Sequence, residues 1–256
     1  MSAVQSPASP PWTWPLPPRV PVLGAQDVHV WGVLLEVERA AVQAFEQTLS
    51  ADERSRAGRF HFSADRERFI VARGLLRAIL ASYLQTSAGD LRFDYNPNGK
   101  PALAAARPEG GGIEFNLAHS HDRALYAVTR GRRVGVDLER LDAPLADARV
   151  AEQFFAPREV AALRALPLEG SVPGFFACWT RKEAYVKARG QGLAIPLDRF
   201  EVTVTPGDPV TLTGDDEPGL GARWSITDLS VWPAYAAALA VEGQRDWRLG
   251  CWRWPG

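Results

Sequence analysis

The sequence has few of the features that mark secreted, membrane-spanning or polyanion-binding proteins. Its 256 residues include only two cysteines, Cys178 and Cys251, and a chain of this length needs no disulfide staples, which favours a reducing compartment. The first residues lack a basic segment followed by an apolar run, and no stretch approaches the roughly 18 consecutive apolar residues of a membrane span. The formal net charge of -1 gives no overall attraction to nucleic acid or to an anionic membrane. We therefore expect a cytoplasmic protein with no nucleic-acid or membrane partner, in which any anion site is local.

Composition and patterning divide the chain into an N-terminal arm and two halves of similar order. Residues 1–22 are dense in Pro, Ser and Ala and bury too little apolar surface to offset the entropy of ordering, so we expect a flexible arm without chemistry. In the first half, the predicted elements are a strand at 28–37, helices within 40–84 and strands at 91–95, 114–118 and 123–128. In the second half, they are a strand from 134, helices within 147–189 and strands at 200–204, 222–229 and 235–241. This order predicts an α+β fold with two similar subdomains, residues 23–131 and 132–256, which form a pseudo-dimer within one chain.

Two carboxylates lie close together in the strand that opens the second half. Asp137 and Glu139 alternate with apolar residues, so both carboxylates face the same side of a strand. Two close like charges repel unless a cation lies between them, and Mg²⁺ prefers carboxylate, phosphate and water oxygens as ligands. Taken alone, such a pair is more often a solvated strand edge than a metal site.

A helical segment adds a third carboxylate and a lysine. In the run CWTRKEAYVK at 178–187, the side chains of Trp179, Glu183 and Lys187 fall on one stripe at four-residue spacing. One interpretation is an ordinary surface ion pair, which contributes little to stability. The other makes Glu183 a further metal ligand and Lys187 an anion contact.

Several other basic side chains could contact a phosphate. Lys100 follows a turn and precedes a strand, and His119 follows a strand. The arginine-rich face of the predicted helix at 64–84 offers Arg66, Arg68, Arg73 and Arg77. A lysine beside a turn is usually only solvated, and a lone histidine after a strand is more often structural. None of these motifs decides the function by itself.

The order of the motifs resembles that of one family. The chain reads GKP at 99–101, FNLAHS at 115–120, VGVDLE at 134–139 and FFACWTRKEAYVK at 175–187, which resembles the 4'-phosphopantetheinyl transferases. More narrowly, it is similar to the monomeric, broad-specificity branch typified by the surfactin-synthetase activator. The resemblance covers roughly residues 50–204.

The resemblance implies a transferase that acts on coenzyme A. Such an enzyme moves the 4'-phosphopantetheine arm onto a serine of an apo carrier protein, releases 3',5'-ADP and uses Mg²⁺. Its implied partners are acyl, peptidyl or aryl carrier proteins of fatty-acid, polyketide or nonribosomal-peptide synthesis, with the individual carrier left open. The resemblance also implies a monomer that binds coenzyme A between its two subdomains.

The resemblance also implies roles for individual side chains. The implied metal ligands are Asp137, Glu139 and Glu183. The implied catalytic residues are Lys187 and Glu183, the latter as a base that acts either directly or through metal-bound water. The implied coenzyme A contacts are Arg56 near the 3'-phosphate, Arg73, Lys100, His119 and Lys187. Some positions depart from the family pattern. Glu53 stands where the surfactin-type protein has a basic phosphate contact, and Phe69 and Ala118 stand where it has hydroxyl side chains, so the nucleotide pocket is expected to differ in detail.

Two other classes of protein are compared with this interpretation. A non-catalytic module could keep affinity for coenzyme A or a carrier, but the three acidic residues argue against it. The arginine-rich helices and the run Gly110-Gly111-Gly112 suggest a nucleic-acid or nucleotide-binding protein. The near-zero net charge disfavours the former, and the lack of a GxxxxGK[ST] phosphate loop disfavours the latter.

Overall fold

The structure, a computed structural model, describes residues 14–17, 22–104, 112–214, 219–229 and 231–255. Most of the predicted arm, and Gly110 and Gly111, lie outside these ranges. The first half contains β1 (Asp27–Leu34), α1 (Arg39–Thr48), α2 (Ala51–Ala57), α3 (Ser63–Leu84), β2 (Phe93–Tyr95), β3 (Pro101–Leu103), β4 (Ile113–Ser120) and β5 (Arg123–Arg130). The second half contains β6 (Val134–Arg140), α4 (Ala148–Phe154), α5 (Pro157–Ala165), α6 (Leu168–Arg189), β7 (Glu201–Val202), β8 (Leu212–Thr213), α7 (Leu220–Arg223), β9 (Trp224–Asp228), β10 (Tyr235–Glu242) and β11 (Arg248–Arg253). The predicted α+β composition is confirmed.

The first half is built on a four-stranded sheet in the order β11-β1-β5-β4. Helix α3 packs on one face of this sheet because its apolar residues recur at helical spacing, and Leu76 and Ile79 are buried with Trp31 and Tyr126. Helix α2 begins with the predicted capping box, in which the Ser50 backbone N–H donates to the Glu53 carboxylate at 3.0 Å.

The second half repeats this design with a three-stranded sheet in the order β6-β10-β9 and the long helix α6. Cys178, Ala184 and Tyr185 of α6 are buried against Ala238 and Ala240 of β10. No helix in the described ranges is long and apolar enough to cross a membrane.

The two sheets share a core, because their remaining faces pack against each other. Val30 and Leu125 of the first sheet are completely buried with Val136 and Leu239 of the second. The layers therefore run helix, sheet, sheet, helix. Trp14, from the predicted arm, is also buried in this shared core.

The last strand crosses back into the first half. Strand β11 pairs parallel with β1, with Cys251 opposite Val30, and it forms an edge of the first sheet. Trp252 and Trp254 pack against the core under α3. The sequence analysis contained no strand beyond residue 241, so this connection between the halves is a feature that only the structure shows.

Candidate active site

Strand β6 presents its two carboxylates on the side that faces α6. Val136 and Leu138 point into the core between the sheets, so Asp137 and Glu139 point the other way, as the alternation predicts. Asp137 is buried, and its Oδ1 accepts a hydrogen bond of 2.6 Å from the Lys187 ammonium. The Asp137 Oδ2 atom is also buried but has no hydrogen-bond partner among the described residues.

Strand β4 supports the acidic strand through two polar side chains that the sequence analysis did not single out. The Ser120 hydroxyl donates to Glu139 Oε2 at 2.9 Å, and the Asn116 carboxamide oxygen accepts from the Val136 N–H at 2.9 Å. Both residues are buried. The signal was present in the run FNLAHS, where they share one face of the strand.

Helix α6 brings Glu183 and Lys187 to the acidic strand. Gly135 allows this approach, since a Cβ at that position would lie 2.1 Å from the Ala184 carbonyl oxygen and 2.3 Å from the Ala188 nitrogen. Two other charged residues of the helix have partners outside the site. Arg181 pairs with Asp228, and the buried Lys182 ammonium pairs with Glu159.

The charges of this cluster interact strongly because the side chains are partly or fully buried. Desolvation and then the Asp137 charge raise the pKa of Glu139 and the pKa of Glu183. Burial lowers the pKa of Lys187, but the Asp137, Glu183 and Glu139 carboxylates outweigh it, so this pKa is raised. Three carboxylates face a single ammonium here, and the excess negative charge favours a cation.

The cluster has the donor chemistry of a hard cation site, although it is not a preassembled three-ligand centre. Within the described ranges, no group of three or more His, Cys, Asp and Glu side chains is arranged to hold a metal ion. Mg²⁺, however, usually takes only one or two carboxylates together with water and substrate phosphate. The unpartnered Asp137 Oδ2 and the mutually repelling carboxylates fit a cation of this kind.

Two cavities beside the cluster bring most of the other predicted residues together. One of about 420 Å³ is lined by Arg56, Arg73 and His119, and the other, of about 380 Å³, by Arg56, Arg73, Lys100, Glu183 and Lys187. Both cavities are lined by Arg56 and Arg73. The residues around the first cavity all belong to the first half, whereas the second is a cleft between the halves, because Glu183 and Lys187 come from α6. Neither lining includes Asp137 or Glu139, although Asp137 pairs with Lys187.

Aromatic rings and a buried carboxylate hold the arginines of the cleft. The Arg56 guanidinium lies over the Phe69 ring at 5.4 Å, and the Arg73 guanidinium lies 5.9 Å from the rings of Phe69, Phe93 and Tyr95. Arg73 is only 9% exposed, and its Nη1 has no hydrogen-bond partner among the described residues. This Nη1 atom is buried, and the Arg73 side chain gives the lining of the cleft a positive charge.

The departure at Glu53 has a structural explanation. Its buried carboxylate receives a hydrogen bond of 2.7 Å from Arg77 Nε and lies 3.5 Å from Arg73 Nε. Arg77 also donates to the carbonyl oxygens of Ala88 and Leu91. Glu53 thus holds two arginines of α3 in place, and Arg77 stabilises the fold rather than facing the cleft.

Lys100 lines the cleft through its side chain, but its ammonium bonds to the protein. Its Nζ donates to the backbone carbonyls of Val134, Lys187 and Ala188. Burial lowers the pKa of Lys100 to about 8, so the group is still protonated at neutral pH. The predicted phosphate contact at Lys100 stays a prediction.

Comparison of the sequence with known proteins identifies the class to which this chain belongs. Family models match residues 133–240, as the 4'-phosphopantetheinyl transferase superfamily, and residues 37–130, as the N-terminal part of a 4'-phosphopantetheinyl transferase. These matches together span most of the chain. The chain therefore belongs to the 4'-phosphopantetheinyl transferase superfamily, and the predicted family and enzyme class are confirmed.

Individual relatives agree with this assignment along nearly the whole chain. The chain is 41% identical over 244 residues to the 4'-phosphopantetheinyl transferase HetI of Nostoc sp.. The alignment covers 94% of this chain and 98% of that protein. It is 25% identical over 216 residues to the 4'-phosphopantetheinyl transferase Sfp of Bacillus subtilis, which covers 84% of this chain and 92% of that protein. A solved structure of a Thermotoga maritima holo-[acyl-carrier-protein] synthase is 21% identical, with a TM-score of 0.35, over 43% of this chain and 62% of that one.

Proposed function

We propose that the chain transfers the 4'-phosphopantetheine group of coenzyme A to a serine of an apo carrier protein, in a magnesium-dependent reaction that releases 3',5'-ADP. One observation carries this proposal. A cleft between the halves has a basic wall at Arg56 and Arg73 and an acidic wall at Glu183, beside which Lys187 pairs with the buried Asp137. Coenzyme A has a pyrophosphate and a 3'-phosphate. Arginines can bind these phosphates directly, and carboxylates can bind the Mg²⁺ ion that the pyrophosphate requires.

The basic wall would hold the nucleotide end of coenzyme A. Arg56 and Arg73, which line the cleft, would attract its phosphates through their guanidinium charges. His119, which lines the neighbouring cavity, would add a further polar contact. Phe69, which stands where the surfactin-type protein has a hydroxyl side chain, contacts both guanidinium groups with its ring.

The acidic wall would hold the reacting end. Asp137, Glu139 and Glu183 are the residues that would bind Mg²⁺, with pyrophosphate and water as the other ligands. When bound, this ion would neutralise charge on the pyrophosphate. Lys187 would add a positive charge for the leaving phosphate while it keeps Asp137 in place through their 2.6 Å contact.

Glu183 would accept the proton of the attacking serine. Burial and the Asp137 charge raise its pKa in the absence of a metal ion, whereas a bound cation would favour its ionised form, so Glu183 would take the proton directly or through a water molecule. The pantetheine-side phosphorus would then be attacked by the serine oxygen, and 3',5'-ADP would leave.

Several parts of the proposal concern the molecule as a whole. We retain the division into units at 23–131 and 132–256, to which the structure adds that β11 of the second unit joins the sheet of the first. A monomer is expected because one chain supplies both walls of the cleft, and gel filtration showing an obligate oligomer would contradict it. A cytoplasmic location and carriers of acyl, peptidyl or aryl groups stay predictions.

The test is intact-mass spectrometry of an apo carrier protein incubated with the chain, coenzyme A and Mg²⁺. A gain of one phosphopantetheine mass is expected, and it should be lost with EDTA and with Asp137→Ala. Asp208→Ala, at an exposed bend that lines neither cavity, is the matched control and should keep the activity. Coenzyme A binding without transfer to any of several unrelated carriers would favour the non-catalytic module.

A further inference from the structure

A turn of the first half covers the end of the helix that carries two site residues. The β2–β3 hairpin closes through residues 96–100, where the Asn96 carboxamide oxygen accepts from the backbone N–H groups of Asn98 and Lys100 at 3.0 and 2.9 Å. Gly99 has a φ of 81°, which a residue with a side chain rarely adopts. The turn therefore has a defined shape, and it directs three side chains towards α6.

The Lys100 ammonium donates all three of its hydrogen bonds to backbone carbonyl oxygens. Its Nζ donates to the carbonyl oxygens of Val134 at 3.1 Å, Lys187 at 2.8 Å and Ala188 at 3.3 Å. An ammonium group has three N–H donors, so these bonds leave none for a phosphate. Two of the acceptors belong to the last turn of α6, where carbonyls lack regular helix partners and carry partial negative charge.

Two asparagines complete this cover. Asn96 Nδ2 and Asn98 Nδ2 both donate to the Gly190 carbonyl oxygen, at 2.7 and 3.3 Å. Gly190 has a φ of 68° and ends the helix, and a Cβ there would lie 3.2 Å from the Lys100 side chain. The turn and the helix end are thus in close contact across the two halves.

Lys100 contacts both elements that carry the acidic residues. Val134 opens β6, the strand of Asp137 and Glu139, whereas the Lys187 and Ala188 carbonyls belong to α6. The two elements already touch at Gly135, and the Lys187 ammonium reaches Asp137 from the turn of helix that Lys100 holds. A displacement of that turn would change the distances between the acidic residues.

We propose that Lys100 is a positioning residue for the acidic site. Its three bonds fix the last turn of α6 against the start of β6, and they thereby fix Glu183 and Lys187 relative to Asp137. This role differs from the phosphate contact that the resemblance implies, and the two roles predict different kinetics. The kinetic part rests on the proposed function; the contact itself does not.

The kinetic test compares Lys100→Met with Arg56→Met, two substitutions that each replace a cation by an unbranched apolar side chain. Turnover is measured with coenzyme A and with dephospho-coenzyme A, which lacks the 3'-phosphate. Lys100→Met is expected to lower kcat with both substrates by about 10- to 100-fold, as for a misplaced catalytic group, and to leave the ratio of their KM values unchanged. Arg56→Met should instead change that ratio. An unchanged kcat with a changed ratio in Lys100→Met would overturn the proposal in favour of a phosphate contact.

Hydrogen exchange tests the same contact without the reaction. In Lys100→Met, the amides of residues 184–190 are expected to exchange about tenfold faster or more, while those of residues 70–80 in α3 keep their rates. Unchanged exchange at 184–190 would overturn the proposal. If Lys100→Met does not fold, Asn96→Ala, which removes a bond to Gly190 and the internal bonds of the turn, should shift the same amides. A wild-type chain without transferase activity would contradict the proposed function alone, because exchange does not depend on turnover.

Discussion

Glu183 is a half-buried carboxyl whose pKa lies above the ordinary value, because burial and the nearby Asp137 charge favour its neutral form. Glu183→Gln keeps the shape of the side chain but cannot accept the serine proton. We expect kcat to fall about 100-fold or more, the usual contribution of a general base, while the dissociation constant for coenzyme A changes much less.

Turnover would be measured by mass spectrometry of the carrier, and binding of coenzyme A by calorimetry. Glu152→Gln, at an exposed carboxylate of α4 that pairs with Arg164, is the matched control. Near-normal turnover of Glu183→Gln would remove this residue from the mechanism.

Glu53 is a second residue at which one charge decides a local structure. It is 2% exposed and is the carboxylate partner of Arg77 and Arg73. Glu53→Gln leaves two buried guanidinium groups without their counter-charge, so the free energy of unfolding is expected to fall by about 3 to 5 kcal/mol.

Urea unfolding measures this change. Glu46→Gln breaks the Arg66–Glu46 pair, whose two side chains are partly solvated, and should cost less than about 1 kcal/mol. Equal losses in the two variants would mean that the buried pair contributes no more than an exposed one.

The contact between β6 and α6 determines the site at the scale of elements. Gly135→Ala would place a methyl group within 2.1 Å of the Ala184 carbonyl oxygen, and backbone cannot move as easily as a side chain. We expect a loss of about 3 kcal/mol in the free energy of unfolding, at the upper end of overpacking effects, together with lower activity in the fraction that folds.

Gly89→Ala is the control for this substitution, because a Cβ there meets nothing within 4 Å. Its unfolding free energy should stay within about 0.5 kcal/mol of wild type. Thermal unfolding followed by circular dichroism distinguishes the two variants, and a similar midpoint for both would contradict the close approach of strand and helix.

At the scale of the whole molecule, the shared core between the sheets and the return of β11 join the two halves. The ring centroid of Trp252 in β11 lies 4.5 Å from that of His29 and 5.5 Å from that of Trp31. Trp252→Ala should destabilise the chain by about 3 kcal/mol, since it empties part of the core beneath α3.

The two halves bury their apolar sheet faces against each other. We therefore expect both halves of Trp252→Ala to unfold in one transition, at a lower denaturant concentration than in the wild type. Hydrogen exchange at β1 and at β10 under increasing denaturant reports the halves separately. Two separate transitions, with only the first half destabilised, would contradict the joint core.

Much of the fold follows from local patterns. The carboxylates of Asp137 and Glu139 share a side because strand alternation is local, and Glu183 and Lys187 share a stripe because helix periodicity is local. The capping box at Ser50 and the long helix α3 are confirmed for the same reason. The role of Lys100, in contrast, was interpreted from its turn and from the family resemblance, whereas its hydrogen-bond acceptors lie 34 to 88 residues away along the chain.

The sequence by itself determined the family, the α+β elements and the residue types of the acidic cluster, because spacing and motif order are properties of neighbouring residues. Only the tertiary structure decided that β11 joins the first sheet, that Glu53 neutralises two arginines, and that the Lys100 ammonium covers the end of α6. Each of these is a contact between distant segments. Its partners are set by which apolar faces are buried together, and no local pattern contains that information.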